Sequence, residues 1–188
     1  MGVPPRDVLA AAARRAVADD HDEWDAPYCF QPLHWDGQAL TYRTHVCIMP
    51  DVHPAGYPAL MAEAAARELT EHPDDPAYAY LLQIEAHGVE APGLDATEAE
   101  REQYRRDRVG RTFHRRPDAT EAAVSWVADV HGRVWTAAKP RENPELINER
   151  FYPPGRAPSG HLIAGLLAVA YTTGVRAYGL PGPQGPMN

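Results

Sequence analysis

The chain has 188 residues, 44% of them hydrophobic and 23% charged, with a formal net charge of −8. That length suits one well-cored domain, which buries roughly 70% of the surface its unfolded chain exposes. The acidic balance argues against wholesale wrapping of nucleic acid, and no apolar run approaches the roughly 20 residues that a membrane-spanning helix needs.

Lys139 is the only lysine, so 17 of the 18 basic residues are arginine. With abundant Ala, Pro and Gly, this reads as the codon bias of a GC-rich genome. The first residues, Met-Gly-Val-Pro-Pro-Arg-Asp, bring an early acid and no apolar signal core. Arg6 stands where an N-myristoylation pattern needs Ser or Thr. A cytoplasmic setting is the expectation.

Residues 6–18 are predicted as a helix, because Val8, Leu9, Ala12, Ala13, Ala16 and Val17 recur at helical spacing. The acidic run at 19–25 lacks the glycine turn and terminal Glu of a calcium loop, and reads as a solvated connector. A first hairpin follows over 28–49, with Asp36-Gly37 as a two-residue turn. Leu33, Leu40, Tyr42, Val46 and Ile48 fall on one of its faces, and Phe30, Arg43, His45 and Cys47 on the other. Pairing across the turn sets Leu33 opposite Leu40, Gln31 opposite Tyr42 and Cys29 opposite Thr44. Cys47 then lies three residues past Cys29's partner and on the other sheet face, out of disulfide range. Both cysteines are expected to stay reduced, as in the cytoplasm.

A helix over 57–71 presents Leu60, Met61, Ala64, Ala65 and Leu69, and Pro73 ends it. The next strand, 77–89, alternates Tyr78, Tyr80, Leu82, Ile84 and Ala86 inward with Gln83, Glu85 and His87 outward. Residues 91–119 form a charged surface insert. Its helix, capped by Asp95 or Thr97, runs to about 108 with almost no apolar stripe. A second hairpin over 124–139 turns at His131-Gly132-Arg133, and Pro140 with Pro153-Pro154-Gly155 marks a loop. Ser159 is expected to cap an apolar helix at 160–173 that Gly174 stops. A short strand at 175–178 and a Gly/Pro tail at 179–188 complete the chain.

This order predicts a single α+β domain over 1–188. Its sheet is mainly antiparallel, built from two hairpins plus a single strand and flanked by helices, with the apolar C-terminal helix in the core. The second hairpin's Val-Ala-Asp-Val-His-Gly-Arg-Val-Trp-Thr, at 127–136, resembles those of profilin-like and PAS-like sensor domains. The resemblance implies the same kind of antiparallel layer.

Several chemistries are excluded. There is no phosphate-binding loop ahead of Lys139 and no G-x-G-x-x-G crevice. H-E-x-x-H and C-x-x-C are absent, as is G-x-S-x-G around Ser125 or Ser159. The sequence requires no cofactor.

Two constellations remain. The first is a polar strand face carrying Arg43 and His45, Glu85 and His87, and Asp129 and His131. A carboxylate two residues before a histidine shares its face. If these strands were neighbours, His45, Glu85, His87, Asp129 and His131 would suit a divalent metal or acid–base work. The plainer account is one solvated face of an antiparallel sheet. The second is the run Arg105, Arg106, Arg108, Arg111, Arg115 and Arg116, which against Asp107 gives +5 locally, with Phe113 and His114 among the arginines. Guanidinium forks grip carboxylates and phosphates. Pairing with Glu98, Glu100, Glu102 and Glu121 is the alternative, yet exposed pairs contribute only about 0–1 kcal/mol each.

The sequence thus points to an intracellular binding or regulatory domain that meets an acidic protein or an anionic ligand through its arginines. The alternative is a small metal-dependent or acid–base enzyme, hydrolase-like, working through Glu85, His87, Asp129 and His45. The expected partner is another protein or a second copy of the chain. Nucleic acid is disfavoured by the net charge, and no membrane is expected.

Overall fold

The computed structural model describes residues 3–18, 24, 28–42, 46–48, 54–89, 92–93, 95–110 and 112–182, with the backbone alone at 46–48 and 54. Among the described residues seven strands form one sheet: β1 (Tyr28–Trp35), β2 (Leu40–Tyr42), β3 (Val46–Ile48), β4 (Ala79–Gly88), β5 (Thr120–Asp129), β6 (Val134–Pro140) and β7 (Asn148–Tyr152). Their order is β2-β1-β4-β5-β6-β7, with β3 also on β1, and every pairing is antiparallel. The single strand β4 therefore lies between the two hairpins. Its ladder to β5 runs unbroken from Ala79↔Asp129 to Gly88↔Thr120.

Helices cover both faces. On one side α1 (Arg6–Ala18) buries Leu9, Ala10, Ala12, Ala13, Ala16 and Val17 against β5 and β6. Its alanines let the helix lie close to the sheet, and Asp7 and Arg15 at its ends suit the helix dipole. On the other side α2 (Tyr57–Glu71) and α4 (His161–Tyr178) pack together. Two core clusters result. Leu9, Val17, Leu33, Leu40, Leu81 and Val127 fill the α1 side; Phe30, Met61, Tyr80, Leu82, Leu166 and Val169 fill the other.

This double cover corrects the expectation of a solvated face. Ala79 through Ile84 are buried whichever way they point, and Gln83 is only 9% exposed. Only the far end of β4 opens to water: Glu85 is half-buried and His87 exposed. Alternation distinguishes the two faces of a strand, but it does not say that one of them is wet.

The first hairpin keeps its face assignment at Leu33 and Leu40 but not its register. Leu33 pairs with Tyr42 rather than Leu40, because the turn spans 36–39. Asp36 Oδ1 accepts hydrogen bonds from the backbone N–H groups of Gln38 and Ala39, both at 2.8 Å, and Gly37 takes φ +100°. The longer turn shifts the pairing by two residues and so preserves which face is buried. Cys29 pairs with Cys47, against the expected separation onto opposite faces. The expected partner, Thr44, lies outside the described residues.

Three corrections concern the C-terminal third. β7 occupies a stretch expected to be loop, pairing Val134↔Tyr152 to Ala138↔Asn148. Ser159 does not cap α4; Gly160 stands at that position without a side-chain cap. Gly174 does not stop α4 either, and 175–178, expected as a strand, is its last turn. A Cβ on Gly174 would lie 2.7 Å from the Val130 carbonyl oxygen, so this glycine permits close helix–sheet approach. The stop is Gly179, at φ +63°, whose N–H bonds back to the Gly174 carbonyl. Among the described residues no helix is long and apolar enough to cross a membrane.

Candidate functional site

The insert contains α3 (Glu98–Gly110), followed by a 3-10 turn at Phe113–Arg115. Thr97 caps α3 reciprocally: its Oγ accepts from the Glu100 N–H, and Glu100 Oε2 accepts from the Thr97 N–H at 2.7 Å. Within α3 the single buried residue is a carboxylate, Asp107. It accepts hydrogen bonds from Gln103 Nε2 at 2.9 Å, Thr112 Oγ at 3.0 Å and Arg116 Nη1 at 3.3 Å. Gln103 first, then Thr112 and Arg116, hold its carboxyl below the usual aspartate range against the opposing effect of burial. Tyr104 rests on Phe113 at 5.3 Å between centroids. A helix with no apolar stripe is thus fixed in place by its polar contacts.

The arginines divide into two groups. Arg105 pairs with Glu98 at 2.5 Å and Glu102 at 3.0 Å. Arg116 forks onto Asp118, at 2.7 and 2.6 Å, in addition to Asp107; Asp118 foremost raises its guanidinium further above the usual arginine value. By contrast, Arg106 donates to Gln103 and Arg108 to Ser159, both neutral partners. Arg115 is exposed and makes no ion pair among the described residues. Arg111 lies outside them. Acids Glu98, Glu100 and Glu102 open the helix and arginines close it, an arrangement that suits the dipole and leaves a positive pole at the C-terminal end.

The strand-face set does not assemble as one site. Asp129 pairs with Ala79, six residues along β4 from Glu85, which is roughly 20 Å at strand rise. Asp129 is also fully committed. Its Oδ1 accepts from the backbone N–H groups of His131 at 3.1 Å and Arg133 at 2.9 Å, and its Oδ2 accepts from Arg133 Nε at 2.7 Å. His131 instead faces Tyr78 at 5.8 Å and lines a cavity of about 370 Å³ with Tyr171, Pro154 and Pro181. Among the described residues no group of three His, Cys, Asp or Glu side chains could hold a metal. Arg43 and His45 lie outside them.

The structure does bring His87 beside the arginine insert. Its ring lies 6.2 Å from that of His114, and both are exposed. Glu121, the register partner of His87, is paired to Arg141 at 2.7 Å. The far end of β4 and the insert therefore form one surface.

Sequence reasoning missed a set of buried polar residues. Gln31, Gln83, Ser125 and Lys139 are each at most 9% exposed, and Ser125 Oγ donates to the Ala13 carbonyl at 2.7 Å. On the opposite face His34 Nε2 meets Glu68 Oε1 at 2.9 Å, both 4% exposed. Alternation puts Gln83 on the outward face, and the α1 layer buries that face. Comparison with family models, with curated proteins and with solved structures finds no match to this chain.

Proposed function

We propose that this chain is a cytoplasmic binding domain that engages an acidic protein partner, or an anionic ligand, at the positive pole of the insert. One observation carries the reading. Arg106, Arg108 and Arg115 are exposed and have no carboxylate partner among the described residues, while Glu98, Glu102, Asp107 and Asp118 are already engaged by Arg105 and Arg116. A guanidinium without an internal carboxylate is open to an external one, and its planar fork matches carboxylate and phosphate geometry. The Asp107 network holds the surface in place beforehand, which lowers the ordering cost of association.

The test is chromatography on immobilised polyglutamate. The folded chain should be retained at low salt and elute as salt rises. Replacing Arg106, Arg108 and Arg115 together by Ala should abolish retention without changing the melting temperature. Removing the same number of charges elsewhere, at Arg67, Arg150 and Arg156, should leave retention intact. Equal loss in both triple variants, or no retention of the parent chain, would show that net charge rather than this surface governs the contact.

A further inference from the structure

We propose that Cys29 and Cys47 are a redox-modified pair, in which a peroxide converts two thiols into one disulfide that ties β3 to β1. The backbone register carries the argument. In the β1–β2 ladder Leu33 pairs with Tyr42, and continuing that register would set Cys29 opposite Val46. The β1–β3 ladder is displaced by one residue, and Cys29 pairs with Cys47. Directly opposed residues of antiparallel strands have Cα atoms about 4.5–5.5 Å apart, within the roughly 4.4–6.8 Å that a disulfide spans. The chain has two cysteines, and both stand on this rung.

The surroundings suit the chemistry. Tyr28↔Ile48 and Phe30↔Val46 hold the rung from either side, so the bond needs no prior strand pairing of its own. Cys29 is 8% exposed, and its Sγ accepts a hydrogen bond from Gln31 Nε2 at 3.2 Å. Across β4 its register partner is Gln83, and beyond that is Ser125. The Gln31 amide beside the sulfur can hydrogen-bond a sulfenic acid. In the first step one sulfur takes OH from hydrogen peroxide as the O–O bond breaks, and water leaves. The second sulfur then attacks that sulfenic acid, the S–S bond forms, and a second water carries away the hydroxyl. Two electrons pass from the thiols to the peroxide, and both thiol protons end in water. In a reducing compartment such a bond is transient and serves as a signal.

The experiment treats the intact, reduced chain with hydrogen peroxide and maps it by mass spectrometry without reductant. The expected product has lost two hydrogens and contains a peptide pair linked through Cys29 and Cys47, restored by dithiothreitol. It should melt about 5–10 °C above the reduced chain. Cys47→Ser should instead accumulate a sulfenic acid at Cys29 that dimedone traps. The wild-type map is decisive even where a variant fails to fold. Alkylation of both cysteines after peroxide treatment, or a bond found only between molecules, overturns the proposal.

Discussion

Asp129 and Asp107 solve the same local problem in different surroundings. Each gathers several N–H or O–H donors and one arginine. Asp129 is 0% exposed and sits where β5 turns into β6. It fixes that turn together with Gly132, at φ +77°, over which the Tyr171 hydroxyl packs so closely that a Cβ would fall 2.0 Å from it. Its partner Arg133 also donates to the Pro4 carbonyl at 3.0 Å, anchoring the approach to α1. Asp107 lies at the edge of the molecule and binds the insert mainly to itself. The first cluster holds the fold together, whereas the second holds a surface in shape. Both carboxylates are buried, at 0% and 7% exposure, so what each network ties together, rather than burial or the kind of bond, sets the difference.

Substitutions should expose this contrast. Asp129→Ala leaves the half-buried Arg133 without its counter-charge and two backbone N–H groups without an acceptor. It should cost about 3–5 kcal/mol in urea unfolding, and a cost near zero would erase the distinction. Alkali tests the interior by a different route. Burial pushes Tyr80 and Tyr178 up to about 12, while an unfolded tyrosine titrates near 10. The folded chain therefore keeps protons that the unfolded chain releases. Stability should hold below about pH 10 and fall as pH rises toward 12; a flat profile across that window, followed by denaturant titration, would contradict the burial. Tyr80→Phe removes the partner of the buried Thr173 hydroxyl, 2.7 Å away, and should cost about 1–2 kcal/mol. Asp107→Ala is expected to have the smallest global effect. Melting should barely move, while amide exchange across α3 accelerates; an equal loss of protection in β5 would mean that the insert is part of the core.

What could be read in advance follows from how local each signal is. The helices at 6–18 and 57–71 were legible to the residue because their apolar spacing repeats over several turns. The antiparallel layer followed from the two hairpins, since short turns cannot join parallel strands. The register at Cys29 was not legible. It depends on the Asp36 side chain lengthening one turn and on a one-residue displacement further along, and alternation records neither. Gly174 carries the same letter as a helix stop, but its role is set by Val130, a neighbour distant in sequence. The insert's anchor escaped notice because its buried residue is an acid, and a search for apolar periodicity passes over it. The His87–His114 contact needed the insert to fold back on β4.

The placement of α1 has a consequence for how the molecule is made. Its contacts reach far along the chain: Ser125 to Ala13 spans 112 residues, Arg133 to Pro4 spans 129, and Arg14 to Glu149 spans 135. During synthesis this alanine-rich segment waits, with its apolar stripe uncovered, until the second hairpin and β7 have left the ribosome. At roughly 5–20 residues per second that delay lasts on the order of ten seconds. Until those strands are made, the buried face of α1 lacks most of its partners within the chain.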